Sequence, residues 1–146
     1  MNSQLKMPST LYEQDFALWI NSTVQLLRER KFEEADWDNI IEEIEGLVRS
    51  DRRAIKSQLI RVIKHLLKLD YQQRTYPPTS WLGSVADGRT QIELILEDSP
   101  SLKPYLAEVL AECYRHAVKE ASKETKIRTE MFPAVCPYTL DEVMNR

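Results

Sequence analysis

Residues 36–73 read DWDNIIEEIEGLVRSDRRAIKSQLIRVIKHLLKLDYQQ, and this stretch decides the fold. It contains no proline, and Asp36 supplies a carboxylate able to cap the free N–H groups of a helix start. Ile41, Val48, Ile55, Val62 and Leu69 recur at every seventh position, with Leu59 and Leu66 beside them, so one helical face stays apolar throughout. The spacing predicts a single long helix, the second of the chain, about 57 Å long at about 1.5 Å per residue, with that line as its core seam. Gly46 and Ser50 are the expected point of a kink, because glycine costs about 1 kcal/mol against alanine inside a helix and serine can cap a restart.

Working outward, the same helical spacing continues on both sides. Thr10-Leu11-Tyr12-Glu13 has the form of a capping box, and a first helix is expected from Thr10 to about Arg30 with Phe16, Ile20, Val24 and Leu27 turned inward. Pro77 and Pro78 end the second helix and make residues 74–79 a linker, since proline supplies no N–H and disfavours helical geometry before it. A third helix is expected from about Ser80 to Glu97, carrying Trp81, Val85, Ile92 and Leu96, with Gly83 and Gly88 weakening it. Ser99-Pro100 opens a fourth, with Leu102, Leu106, Val109, Leu110, Cys113 and Ala117 on one face up to about Lys123. The tail from residue 124 is too apolar at Phe132, Val135 and Tyr138 to hang free, and Thr139-Leu140-Asp141-Glu142 is a second capping box. The expected fold is all-α: a single helical-bundle domain of four main helices over residues 1–146, with residues 1–9 flexible and the tail packed across the bundle.

Composition narrows the class. The chain has 146 residues, 42% hydrophobic and with only 3 glycines, which excludes collagen-like, low-complexity and disordered sequences. The absence of an apolar leader or an 18-residue apolar run leads to the expectation of a cytoplasmic protein with no membrane span. Cys113 and Cys136 lack metal-ligand spacing and read as reduced thiols, Cys113 in the core, so no disulfide and no thiolate nucleophile is expected.

Several segments together resemble the bacterial domain-of-unknown-function family 29. They are Leu11-Tyr12-Glu13-Gln14-Asp15-Phe16 with Trp19, Glu42-Glu43-Ile44-Glu45, His65-Leu66-Leu67-Lys68, Ser99-Pro100-Ser101-Leu102-Lys103, and Phe132-Pro133 with Cys136-Pro137-Tyr138. The resemblance spans most of the chain and implies a compact helical bundle from bacteria, mainly cyanobacteria, with no assigned activity. The sequence departs from the family pattern at Asp70, where an aromatic commonly follows His-Leu-Leu-Lys by one or two places.

Candidate chemistry is sparse. Ile44, Asp51, Gln58, His65 and Gln72 form a line beside the seam, which places His65 at the edge of a buried face. An imidazole there fills space and makes one hydrogen bond, or, given a carboxylate from another helix, acts as a base or ligand. Glu43, Asp15 and Arg89 are the residues expected to assist it in that second case. Glu112, His116 and Glu120 share a stripe on the fourth helix, but their four-residue spacing has no counterpart on another helix, so surface pairing accounts for them. No phosphate loop, nucleophile elbow or zinc-protease motif occurs, and neither a metal nor a cofactor is expected.

Charge gives the sharpest non-enzymatic signal. The net charge is −3, yet Glu33 to Glu45 holds seven acids and no base, whereas Arg49 to Arg74 holds eight bases against Asp51 and Asp70. Arg49, Arg53, Lys56, Lys64 and Lys68 are expected on an outer face that meets an acidic surface, such as an antiparallel copy of the same helix. Tyr76 and Trp81 would add an aromatic surface to that interface. The leading expectation is a protein-interaction or structural module that forms a homo-oligomer, a dimer, or binds another protein. A small enzyme or metal-binding bundle centred on His65 is the alternative. Nucleic acid is the weakest partner, because the acidic half repels phosphate and no aromatic side chains interleave the basic face.

Overall fold

The computed structural model describes residues 7–72 and 74–146, with backbone alone over residues 7–10. The Thr10 cap, Gln73 at the expected end of the long helix, and residues 1–6 of the expected flexible terminus lie outside the described residues. Within them the chain is all α-helical: α1 (Met7–Gln14), α2 (Phe16–Arg28), α3 (Trp37–Tyr71), α4 (Thr79–Asp98), α5 (Lys103–Thr125) and α6 (Leu140–Asn145), with short 3₁₀ turns at Phe32–Glu34, Pro100–Leu102 and Thr129–Met131. Two compact units arise, Met1–Arg49 and Ser50–Arg146. α3 runs through Gly46 and Ser50 as one α-helix without interruption.

In the first unit, the helix expected from Thr10 to Arg30 is divided. Asp15 has non-helical geometry and its carboxylate accepts from the Leu18 N–H at 3.0 Å, which ends α1 and caps α2. The inward face of α2 is also turned by about one residue from the expected stripe. Trp19 and Thr23 are buried while Phe16 and Val24 are exposed, because the Trp19 ring packs edge-on against Tyr12 at 4.8 Å. α2 ends before the expected Arg30, which has left-handed φ of 61°. Its N–H donates to the Leu27 carbonyl and the Lys31 N–H to the Leu26 carbonyl, the crossed pattern that closes a helix end, with arginine where glycine is usual.

In the second unit, Ile55, Leu59, Val62 and Ile63 of α3 are fully buried together with Ile92 of α4 and Cys113, Ala117 and Ala121 of α5. Lys56 pairs with Glu112, Lys64 with Glu120 and Lys68 with Glu124, each pair 56 residues apart in sequence. A constant offset means that α3 and α5 run parallel, in register, along a ladder of ion pairs. The α5 start also differs from expectation. Ser99 makes no side-chain cap, and Pro100–Leu102 form a 3₁₀ turn before the α-helix begins at Lys103.

The tail folds back on this unit. Phe132, Tyr138 and Val143 are buried, and the Thr139–Glu142 capping box opens α6 with both of its hydrogen bonds present. Asp70, at the position that departs from the family pattern, accepts from the Tyr138 hydroxyl at 2.6 Å and from both terminal nitrogens of Arg146. The carboxylate therefore anchors the tail where an aromatic would only pack.

Gly88 is fixed by packing. A Cβ there would lie 2.6 Å from Val62 Cγ2, whereas one at Gly83 meets nothing within 4 Å. Gly88→Ala is expected to destabilise the protein by about 1–3 kcal/mol, overpacking outweighing its helix propensity. Gly83→Ala should raise stability by up to about 1 kcal/mol, and urea titrations of the two variants check the contrast.

Candidate functional site

The four residues expected to assist or perform catalysis each have a separate structural task. The His65 Nδ1–H donates to the Arg61 carbonyl of its own helix at 2.8 Å. Arg89 donates from Nε to the Val143 carbonyl and from its terminal nitrogens to those of Arg146 and Glu142, tying α4 to the C-terminal end of α6. Asp15 caps α2, and Glu43 accepts a hydrogen bond from the Tyr12 hydroxyl. No hydrogen bond joins His65 to Arg89 in the second unit or Asp15 to Glu43 in the first.

Glu112 and Glu120, which flank His116, are engaged by Lys56 and Lys64. Among the described residues, no group of three or more His, Cys, Asp or Glu side chains is placed to hold a metal ion. Burial pushes the Cys113 thiol up to about 11 and raises Cys136, which keeps both protonated and unreactive near neutrality.

The basic residues of α3 correct the sequence reading most sharply. Lys56, Lys64 and Lys68 do not form an outer face, since all three reach α5 glutamates. Lys68 is only 8% exposed, with Nζ 4.8 Å from the centre of the Trp81 ring. Trp81, expected on the surface, is itself only 8% exposed beneath Lys68 and Arg74, and of that aromatic pair Tyr76 alone is open to solvent. Arg49 bridges to Glu42 along α3 at 2.6 Å, and Arg53 remains exposed without an ion pair among the described residues.

The apolar seam also changes character along α3. Ile55 and Val62 are buried, but Ile41 is 52% and Ile44 59% exposed, with Leu47 at 68% and Trp37 and Val48 exposed beside them. Trp37, Ile41, Ile44 and Val48 follow the alternating four- and three-residue spacing of a helix that packs against another helix. Acids border this stripe, and among the described residues Glu33, Glu34, Asp38 and Glu45 make no ion pair. The sequence places Ile41 and Val48 in the core seam and Ile44 on the line beside it, and does not single out Trp37 or Leu47; the missing signal was which part of the seam has a neighbour to cover it.

A second surface lies on α5 and the tail. Tyr114, Val118, Phe132 and Pro133 wall a groove of about 410 Å³ with Arg115 and Lys119 on its lining. The sequence reading did not single it out, because its walls come from segments that only the fold brings together.

Three groups give stability a pH dependence with one sign. Burial lowers the His65 pKa below its ordinary 6.5, aided by Lys68 and Lys64 and opposed by the Arg61 carbonyl. Burial pushes Asp70 and Glu124 up, but bonds from Arg146 and Tyr138, and from Lys68 and Lys64, outweigh it and hold both carboxylates low. In each case the folded state binds its proton less readily than the unfolded chain, so the stabilisation is complete above the unfolded pKa and is lost as pH falls. The melting temperature is expected to drop in two stages, first below pH 6.5 and then within the carboxylate range. His65→Gln should remove the first stage alone, as read by calorimetry across pH.

Neither a curated protein nor a solved structure matches the chain. The model of one family, described as Domain of unknown function DUF29, matches residues 11–146, and the chain belongs to that family.

Proposed function

We propose that this protein is an interaction module that self-associates, and that its contact surface is the apolar stripe on the first part of α3. The observation that carries the reading is the exposure of Trp37, Ile41, Ile44, Leu47 and Val48 on one helix. Isolated exposed apolar residues are ordinary, but a contiguous helical stripe of five, rimmed by charge, is a feature of association surfaces. Burying an aliphatic side chain contributes about 1.5–3 kcal/mol, so a partner covering the stripe has ample driving force.

The location of the surface differs from the sequence-based expectation. The lysines expected to meet an acidic partner are held by α5, and the aromatic contribution comes from Trp37 rather than Trp81. The same ion pairs leave few α3 cations for nucleic-acid phosphate. Among the described residues no helix is long and apolar enough to cross a membrane, and two free thiols support a reducing compartment such as the cytoplasm.

Light scattering over a concentration series tests the proposal. The native chain is expected to show a mass above that of one chain at high micromolar concentration. Ile41→Ser/Ile44→Ser should weaken association by about tenfold or more, at least about 1.4 kcal/mol, without lowering the unfolding midpoint, because both side chains are exposed. A native chain that stays monomeric at every concentration overturns the reading.

A further inference from the structure

The acidic, apolar stripe needs a basic, apolar surface to receive it, and α3 has little left to offer. Of its cations nearest the stripe, Arg49 already bridges Glu42 and Arg52 lies over the Tyr105 ring at 5.6 Å, which leaves Arg53 exposed and without an ion pair among the described residues. Pairing the stripe with its own copy would set Glu33, Glu34, Asp38 and Glu45 of each chain against a helix whose lysines are consumed. Unpartnered charges of one sign brought together at an interface oppose association.

The α5 groove has the complementary character. Arg115, Lys119 and Lys123 recur one helical turn apart, and Lys126 and Arg128 follow; none of the five makes an ion pair among the described residues. The acids among them, Glu120 and Glu124, are held by Lys64 and Lys68 on the other side of α5. The wall of the groove is apolar, with Glu130 its one acid, and Met131 and Val135 extend the apolar surface outward from the tail. Its aromatic rings, Tyr114 and Phe132, are buried and cannot stack on bases, which favours a protein occupant over a nucleic-acid strand.

We infer that the α3 stripe of one copy docks in the α5 groove of a second copy, so that chains join head to tail. This rests on the self-association proposed above and names its receiving surface. The two faces differ, so the interface is heterologous: each chain keeps one free stripe or groove, and assembly continues into a ring or an open chain. Charge complementarity sets the register, and the apolar side chains supply the driving force.

Two variants decide the matter. Ile41→Ser/Ile44→Ser removes the stripe but leaves the groove, and Arg115→Glu/Lys119→Glu removes the groove but leaves the stripe. All four positions are exposed, and circular dichroism verifies that both variants fold. Each variant alone is expected to be monomeric by light scattering, while an equimolar mixture forms a one-to-one pair, since one chain still donates and the other still receives. Association of the native chain should also weaken by about tenfold or more between about 0.1 M and about 1 M salt, as the screening length falls from about 10 Å to about 3 Å.

Should the groove variant associate as strongly as the native chain, the stripe pairs with something else and the head-to-tail inference is wrong while self-association stands. A mixture that remains monomeric overturns it equally. A native chain monomeric throughout removes both proposals.

Discussion

Burial of one face of α3 against α4 and α5 is the constraint on which the second unit depends. Ile55, Leu59, Val62, Ile63 and Leu67 are removed from water, and Gly88 lets the α4 backbone approach Val62 closely. Once α3 is held in this way, its register with α5 is locked by lysine–glutamate pairs at a constant offset. The partly exposed pairs contribute modestly one by one, as surface ion pairs do. Lys68 is different, since it is nearly buried and its charge is met by both Glu124 and the Trp81 ring. Removing Glu124 would leave that charge uncompensated, so the pair specifies the register more strongly than its net energy suggests.

The same ladder redistributes charge over the molecule. Satisfying the α3 lysines internally cancels much of the helix's basic half, while the acids of residues 33–45 belong to the first unit and the cations of residues 115–128 to the second. A helix that reads as strongly dipolar in sequence becomes, once folded, an acidic apolar stripe continuing into a buried strut. Interaction thus arises from the part of α3 that folding leaves uncovered.

The tail follows a related economy. Asp70 serves Tyr138 and Arg146 together, while Arg89 satisfies three carbonyl groups near the end of α6. Two of the candidate titratable groups, His65 and Arg89, are joined to backbone oxygens. Their positions are explained by the satisfaction of buried or half-buried polar groups.

Local rules made much of this legible in the sequence. The seven-residue apolar spacing, the prolines at 77 and 78 and the Thr139–Glu142 box determined that the chain is helical and where most helices end, because backbone capping and helical periodicity act over only a few residues. Asp15 was within reach of the same rules, but the capping signal at Thr10 competed with it. What only the tertiary structure decided was the fate of each face: that Ile55 is core and Ile41 is surface on one seam, that Lys68 turns inward, that Trp81 is covered, and that a groove forms beside α5. Those outcomes depend on which helix lies opposite, and a periodic sequence prescribes a face without naming the neighbour that will cover it.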